Sequence, residues 1–256
     1  MKRLLVILTS SLFLMLSPTH AGAITGGQVD TGNEYPFVGL LAFYDEEGEY
    51  SHRCTGTLVS PTVVLTASHC TDGMTLVYAY FQITVADDFR ENPTGITGTP
   101  YTHPDYNPNT LANDVAVVVL DEPVTLSEYP TIASEGFLSD LKASHEIKDD
   151  TFVAVGYGVQ TGFPPPTQIV DLKRRFSESP YGGLTRNNLH LQQNPNSTGG
   201  GGTCFGDSGG PHFWEDTLII VAVTSWGDAI CRSNDMTQRI DIPSVLEFLA
   251  EYEISP

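Results

Sequence analysis

The apolar runs of this chain are short, and turn residues separate them. Phe37 to Phe43, Gly56 to Val59, Val63 to Leu65, Leu76 to Val85, Val115 to Leu120, Phe152 to Val155, Leu218 to Val223 and Arg239 to Ile242 recur between Gly, Pro and Asn. Runs this short, bounded by such residues, read as buried strands, because a core helix needs ten residues or more of sustained periodicity. Many of them in series restrict the chain to an all-β barrel or sandwich. The pattern fades between Pro123 and Asp150, where polar and charged residues dominate and Ser134 to His145 reads as a short helix. It changes again after Ile242. Pro243 suits a first helical turn, and Val245, Leu246 and Leu249 fall on one face of a closing helix.

The first residues read as an address. Lys2 and Arg3 precede a short apolar stretch, Leu4 to Leu16, and Ala21-Gly22-Ala23 has the small-x-small form of a cleavage site. The stretch is interrupted by Thr9-Ser10-Ser11 and is shorter than a membrane span requires, so residues 1–23 are expected to be a signal peptide. A secreted chain without a membrane anchor follows. Four cysteines suit an oxidising compartment, and they allow three pairings. The net charge is −19, and loss of Lys2 and Arg3 with the leader leaves 10 bases against 31 acids, or −21. Such a chain is a poor partner for nucleic acid and draws in cationic peptides. The one basic cluster, Lys173-Arg174-Arg175, reads as a solvated strand or loop face.

Chemistry concentrates in three segments. In Thr203-Cys204-Phe205-Gly206-Asp207-Ser208-Gly209-Gly210-Pro211 a serine stands between an acid and two glycines. Gly206 has no side chain to block its N–H, and the N–H of Ser208 can converge with it, which makes an oxyanion hole beside a nucleophile. Thr66-Ala67-Ser68-His69-Cys70 follows one apolar run, and Asn113-Asp114 precedes another. A free serine is hardly ionised and needs a base. His69 can take its proton and later return it to a leaving amine. Asp114 can hold the other ring nitrogen in its donor form. The chain order His, Asp, Ser is that of one branch of serine hydrolases and not of the others.

With these segments, and with Ile24-Thr25-Gly26-Gly27, Val153-Ala154-Val155-Gly156-Tyr157-Gly158 and Ser225-Trp226-Gly227, the chain resembles the trypsin/chymotrypsin family of serine endopeptidases over nearly all of its length after the leader. The resemblance implies an all-β fold of two six-stranded Greek-key barrels with a C-terminal α-helix. The first barrel would span about residues 24–125, a connection about 126–150, the second barrel about 151–241 and the helix about 243–252. It implies disulfides Cys54 with Cys70 and Cys204 with Cys231, each worth ~3 kcal/mol by loop closure. It implies protein or peptide substrates held along Ser225-Trp226-Gly227 by added-strand pairing, no cofactor, and a monomer. It also implies activation: an amine freed at Ile24 would insert and pair with Asp207.

Specificity is less settled. In the family the residue two before Cys204 floors the primary pocket, and here it is Gly202, where trypsins carry an aspartate. Counting back from Arg239 places Asp235 where most members have a pocket-lining glycine, although a shortened span after Cys231 leaves a turn position beside Asn234 as the alternative. Asp87, Asp88 and Glu91 occupy the region of a calcium loop in some members, but in so acidic a chain they read as a solvated turn, and no metal is expected. Two other functions stay open: a catalytically inactive peptide-binding homologue, and an esterase using the same triad.

Overall fold

The computed structural model describes residues 24–160 and 170–256, so the expected leader, residues 1–23, lies outside the described residues. The chain opens with a two-residue strand, β1 (Gln28–Val29), and then builds a closed barrel. Its strands are β2 (Val38–Tyr44), β3 (Tyr50–Leu58), β4 (Val63–Thr66), β5 (Leu76–Tyr80), β6 (Ile96–Thr102) and β7 (Ala116–Leu120). They close in the order β2-β3-β4-β7-β6-β5, all antiparallel. A one-turn helix, α1 (Ser68–Thr71), follows β4 directly.

A short strand β8 (Thr131–Ile132) and the helix α2 (Phe137–Ser144) lead into the second half. There β9 (Thr151–Gly156), β10 (Arg175–Leu184), β11 (Asn188–Gln192), β12 (Pro211–Trp214), β13 (Ile219–Gly227) and β14 (Asn234–Arg239) run β9-β10-β11-β14-β13-β12 and return to β9. A one-turn helix, α3 (Pro195–Thr198), lies between β11 and β12. Outside this second six-membered ring, β1 pairs with β10 and β8 runs parallel to β13. The fold is therefore the expected pair of six-stranded barrels with a closing helix, α4 (Pro243–Ala250).

Alternation explains why these strands close. On β9, Phe152 and Ala154 face one side and Val153 and Val155 the other, and every one of them is buried. On α4, Val245, Phe248 and Leu249 are buried while Leu246 is only partly covered. The helix docks back on the first barrel, where the His103 ring meets Phe248 at 4.8 Å and 45° and its Nε2 lies 3.0 Å from the Ser244 carbonyl.

The basic cluster corrects the sequence reading. Lys173 is partly exposed, but Arg174 is completely buried and Arg175 nearly so. Arg174 Nε donates to Asp30 at 2.7 Å, one terminal nitrogen donates to the carbonyls of Val38 at 3.1 Å and Phe81 at 3.0 Å, and the other donates to Asn33. A guanidinium can be buried only when its fork of donors is met, and here four partners from the N-terminal segment and the first barrel meet it. The residue is thus a clamp between the two halves.

Candidate active site

Three loops meet at the junction of the barrels. Helix α1 carries His69 at the end of β4, and the turn before β7 carries Asp114, which has no exposure to solvent. Asp114 receives the backbone N–H of His69 on Oδ1 at 2.8 Å and lies 2.8 Å from the imidazole Nδ1 through Oδ2. The hydroxyl of Ser225 donates to the same Oδ2, and the N–H of Asp114 donates to Gln238 at 3.2 Å. The carboxylate is fixed from both barrels. Its neighbour Asn113 has a left-handed φ of 56° and accepts from Ser244 Oγ at 2.9 Å, so α4 braces the turn.

Ser208 follows a backbone turn that a glycine makes possible. Gly206 has φ +99°, which an L side chain rarely adopts. Thr55 ties the turn to the first barrel: its N–H donates to the Ser208 carbonyl and its hydroxyl to the Gly206 carbonyl, both at 2.9 Å. Ser208 lines the same cavity as Ser225, whose hydroxyl reaches Asp114.

Asp207, between them in sequence, is wholly buried and accepts from the N–H groups of Gly158 at 2.7 Å and Cys204 at 2.9 Å. Burial pushes its carboxyl up to about 7, against the pull of those two N–H groups and of Arg53. Ile24 is also wholly buried, and next to it the Thr25 hydroxyl donates to the carbonyls of Gly202 at 3.2 Å and Cys231 at 3.1 Å.

The cavity holds about 210 Å³. Thr203, Thr224, Gly227 and the disulfide Cys204–Cys231 line it, and Phe205 and Trp226, about half exposed, form its apolar rim. The second disulfide, Cys54–Cys70, joins β3 to α1. Gly202 stands behind this wall with the side chain of Gln193 packed on it.

Asp235 is not a turn residue. It lies in β14 opposite Gly227, completely buried, with its carboxylate turned toward His212, whose Nε2 is 3.3 Å away. Asp235 is thus one layer behind the cavity lining. The acid that does line the cavity is Asp228, which sequence reasoning passed over. Burial opposes its charge, but the N–H groups of Asn234, Arg232 and Ser233 and the amide of Gln193 outweigh that and hold its pKa below the usual carboxylate value. Its position directly after Gly227 was the available signal.

Two closed six-stranded barrels in this order, with a closing helix, define the chymotrypsin fold, and solved structures agree. HL collagenase superposes with a TM-score of 0.64 at 17% identity, covering 86% of this chain and 94% of that one. Human heparin binding protein gives 0.62 at 18% identity, covering 89% and 95%. The trypsin family profile matches residues 24–248, so the chain belongs to the trypsin family. Brachyurin of Leptuca pugilator is 34% identical over 224 residues, 80% of this chain and 87% of the relative. Tryptase of Mus musculus is 28% identical over 261 residues, 90% and 92% respectively.

Proposed function

We propose that the chain is a secreted serine endopeptidase that cleaves peptide bonds through an acyl-enzyme. The observation that carries this reading is the fully buried Asp114 bound to both the backbone and the ring of His69, beside a cavity that Ser208 lines. Ser208 Oγ would attack the scissile carbonyl while His69 Nε2 takes its proton, and Asp114 would hold Nδ1–H and stabilise the imidazolium. The N–H groups of Gly206 and Ser208 would receive the oxyanion, each donor worth ~3 kcal/mol in comparable sites. His69 then returns the proton to the leaving amine, and water, deprotonated by the same ring, releases the acyl group.

Trp226 and Gly227 end β13 exposed at the rim, which suits them to pair with a substrate backbone as an added strand. The side chain before the cleaved bond would enter the cavity. Uncharged walls bury an apolar group, while Asp228 in the lining and Asp235 behind it favour a cation, so we read the preference as mixed, basic and apolar. Activation follows if cleavage after Ala23 frees the Ile24 amine to pair with Asp207, and mass spectrometry of the active form should find it beginning at Ile24.

Treatment with a fluorophosphonate tests the whole reading. Stoichiometric labelling at Ser208 is expected, and a folded sample that takes no label is a binder and not an enzyme. A polyanion-binding role like that in the name of human heparin binding protein fits poorly with a net charge of −19. Preference for a peptide over an ester of the same acyl group separates the endopeptidase from an esterase.

A further inference from the structure

The interior of the second barrel holds an ionisable pair that the proposed chemistry does not use. His212 on β12 and Asp235 on β14 have no solvent exposure, and Nε2 stands 3.3 Å from Oδ2. Among the described residues, neither Asp235 oxygen makes a hydrogen bond of good geometry, and His212 Nδ1 has no partner. On its other side Nε2 lies 3.0 Å from the hydroxyl of Thr224, which lines the cavity. One hydroxyl therefore separates the pair from whatever side chain enters.

A bare carboxylate in such a place is costly, and so is a bare imidazolium. One proton removes both costs, because the pair is neutral whether nitrogen or oxygen carries it. Release of that proton to solvent leaves one negative charge behind the cavity wall. The acids that act on Asp235 are Asp207 and Asp228, whose negative charge, where present, favours keeping the proton, while the Thr203 hydroxyl favours losing it. Around His212 the sheet partners are Ala154 on β9 and Ala222 on β13, and neither carries charge. Burial raises Asp235 to about 7 and lowers His212 to about 3, which is the direction expected of two groups that resist separate ionisation.

We propose that His212 and Asp235 share one proton behind the specificity cavity, and that its release, driven by entry of a cationic side chain, makes the choice between cationic and apolar substrates depend on pH. The inference rests on the endopeptidase reading for its substrate class. A lysine or arginine side chain in the cavity is attracted to the anionic pair, so binding and proton release reinforce each other by linkage. A leucine side chain gains nothing from the released charge. His212 touches no substrate and acts as a positioning residue: as a neutral donor it stabilises the Asp235 anion.

The measurement is the ratio of kcat/KM for lysine over leucine at the cleaved position between pH 5 and 8. Both substrates depend equally on His69, so the ratio isolates the cavity. It should rise about tenfold or more across the range, since one linked proton can change it by at most about tenfold per pH unit. Asp235→Asn should flatten it. His212→Phe should move the midpoint to higher pH, and His212→Gln, which keeps a donor, should bring it back toward wild type. A ratio flat with pH in wild type, or a midpoint unmoved in His212→Phe, overturns the proposal. If His212→Phe does not fold, the flattening in Asp235→Asn decides alone.

Calorimetric binding of benzamidine to the full mature chain carrying Ser208→Ala keeps this failure distinct from failure of the protease reading. Proton release on binding that disappears in the Ser208→Ala, Asp235→Asn double variant supports the shared proton even without turnover. Turnover with no such release refutes the pair's role and leaves the protease intact.

Discussion

The two barrels share an architecture but fill it differently. Every residue of β2 is buried, and the first barrel closes over Leu40, Leu41, Phe43, Leu58 and Leu65, with Thr55 and Thr66 among its polar members and Asp114 its buried acid at the junction. The second half buries Asp207, His212, Asp235 and Gln193. Ionisable groups are costly to bury, and a core of aliphatic side chains in their place would usually be as stable or more so. Their concentration behind one cavity fits a division of labour in which the first barrel supplies rigidity and holds the base. On the proposed function, the second would give up stability to tune a binding site.

The largest effect tests the junction itself. Ser208→Ala should lower kcat by at least ~10³ while leaving the melting temperature near wild type, because it removes one oxygen from a partly exposed site. Near-normal turnover in that variant would place the nucleophile elsewhere. Next is the clamp between the barrels: Arg174→Ala leaves Asp30 buried without its partner and should cost ~3–5 kcal/mol in chemical denaturation. Leu40→Ala, within the apolar barrel, should cost ~2–5 kcal/mol through lost burial and a cavity.

A smaller effect concerns pH. Burial raises Asp207 and Asp235 to about 7 in the folded chain, from 3.8 as free groups. Between about pH 4 and 7 the unfolded chain has already released protons that the folded chain keeps, so these groups make stability fall as pH rises, by up to ~1.4 kcal/mol per pH unit for each. His212, lowered from 6.5 to about 3, has the opposite sign, and its contribution is lost as pH falls below 6.5. Asp235→Asn should therefore melt above wild type at pH 8 and close to it at pH 4. A difference that is largest at pH 4 would contradict the burial of the carboxylate. Smallest of all, Lys173→Ala should change stability by less than ~0.5 kcal/mol, since its ammonium is partly exposed beside Asp171 at 3.6 Å.

What could be read from the sequence was local. His69, Asp114 and the turn around Ser208 announced themselves because each lies at the end of an apolar run or inside a run of glycines. Strands β6, β10 and β11 carry Thr, Gly, Ser and Asn at many positions, and no apolar run marks them. Arg174 looked solvated because Asp30, which neutralises it, is 144 residues away. His212 carries no signal of its own: one polar residue among the apolar ones of Pro211-His212-Phe213-Trp214 does not say which way it faces, and His212 and Phe213 are both buried. Its partner on β14 could not be found without the register of the strands between them.

The run Gly199 to Gly202 looks like a flexible linker, yet a Cβ on Gly201 would lie 1.7 Å from the Thr25 carbonyl. The run is a track on which the first residues of the chain are seated. Thr25 bonds across 177 residues to Gly202 and across 206 to Cys231, among the longest closures the chain can make. Contacts of such separation form late, after shorter-range pairings have reduced the entropy of closing the loop. In kinetic terms the cavity wall at Cys231 is finished only when the segment around Thr25 has met it. A folding intermediate with both barrels formed and the segment around Thr25 loose would therefore hold His69 and Asp114 in place without a completed cavity wall at Cys231.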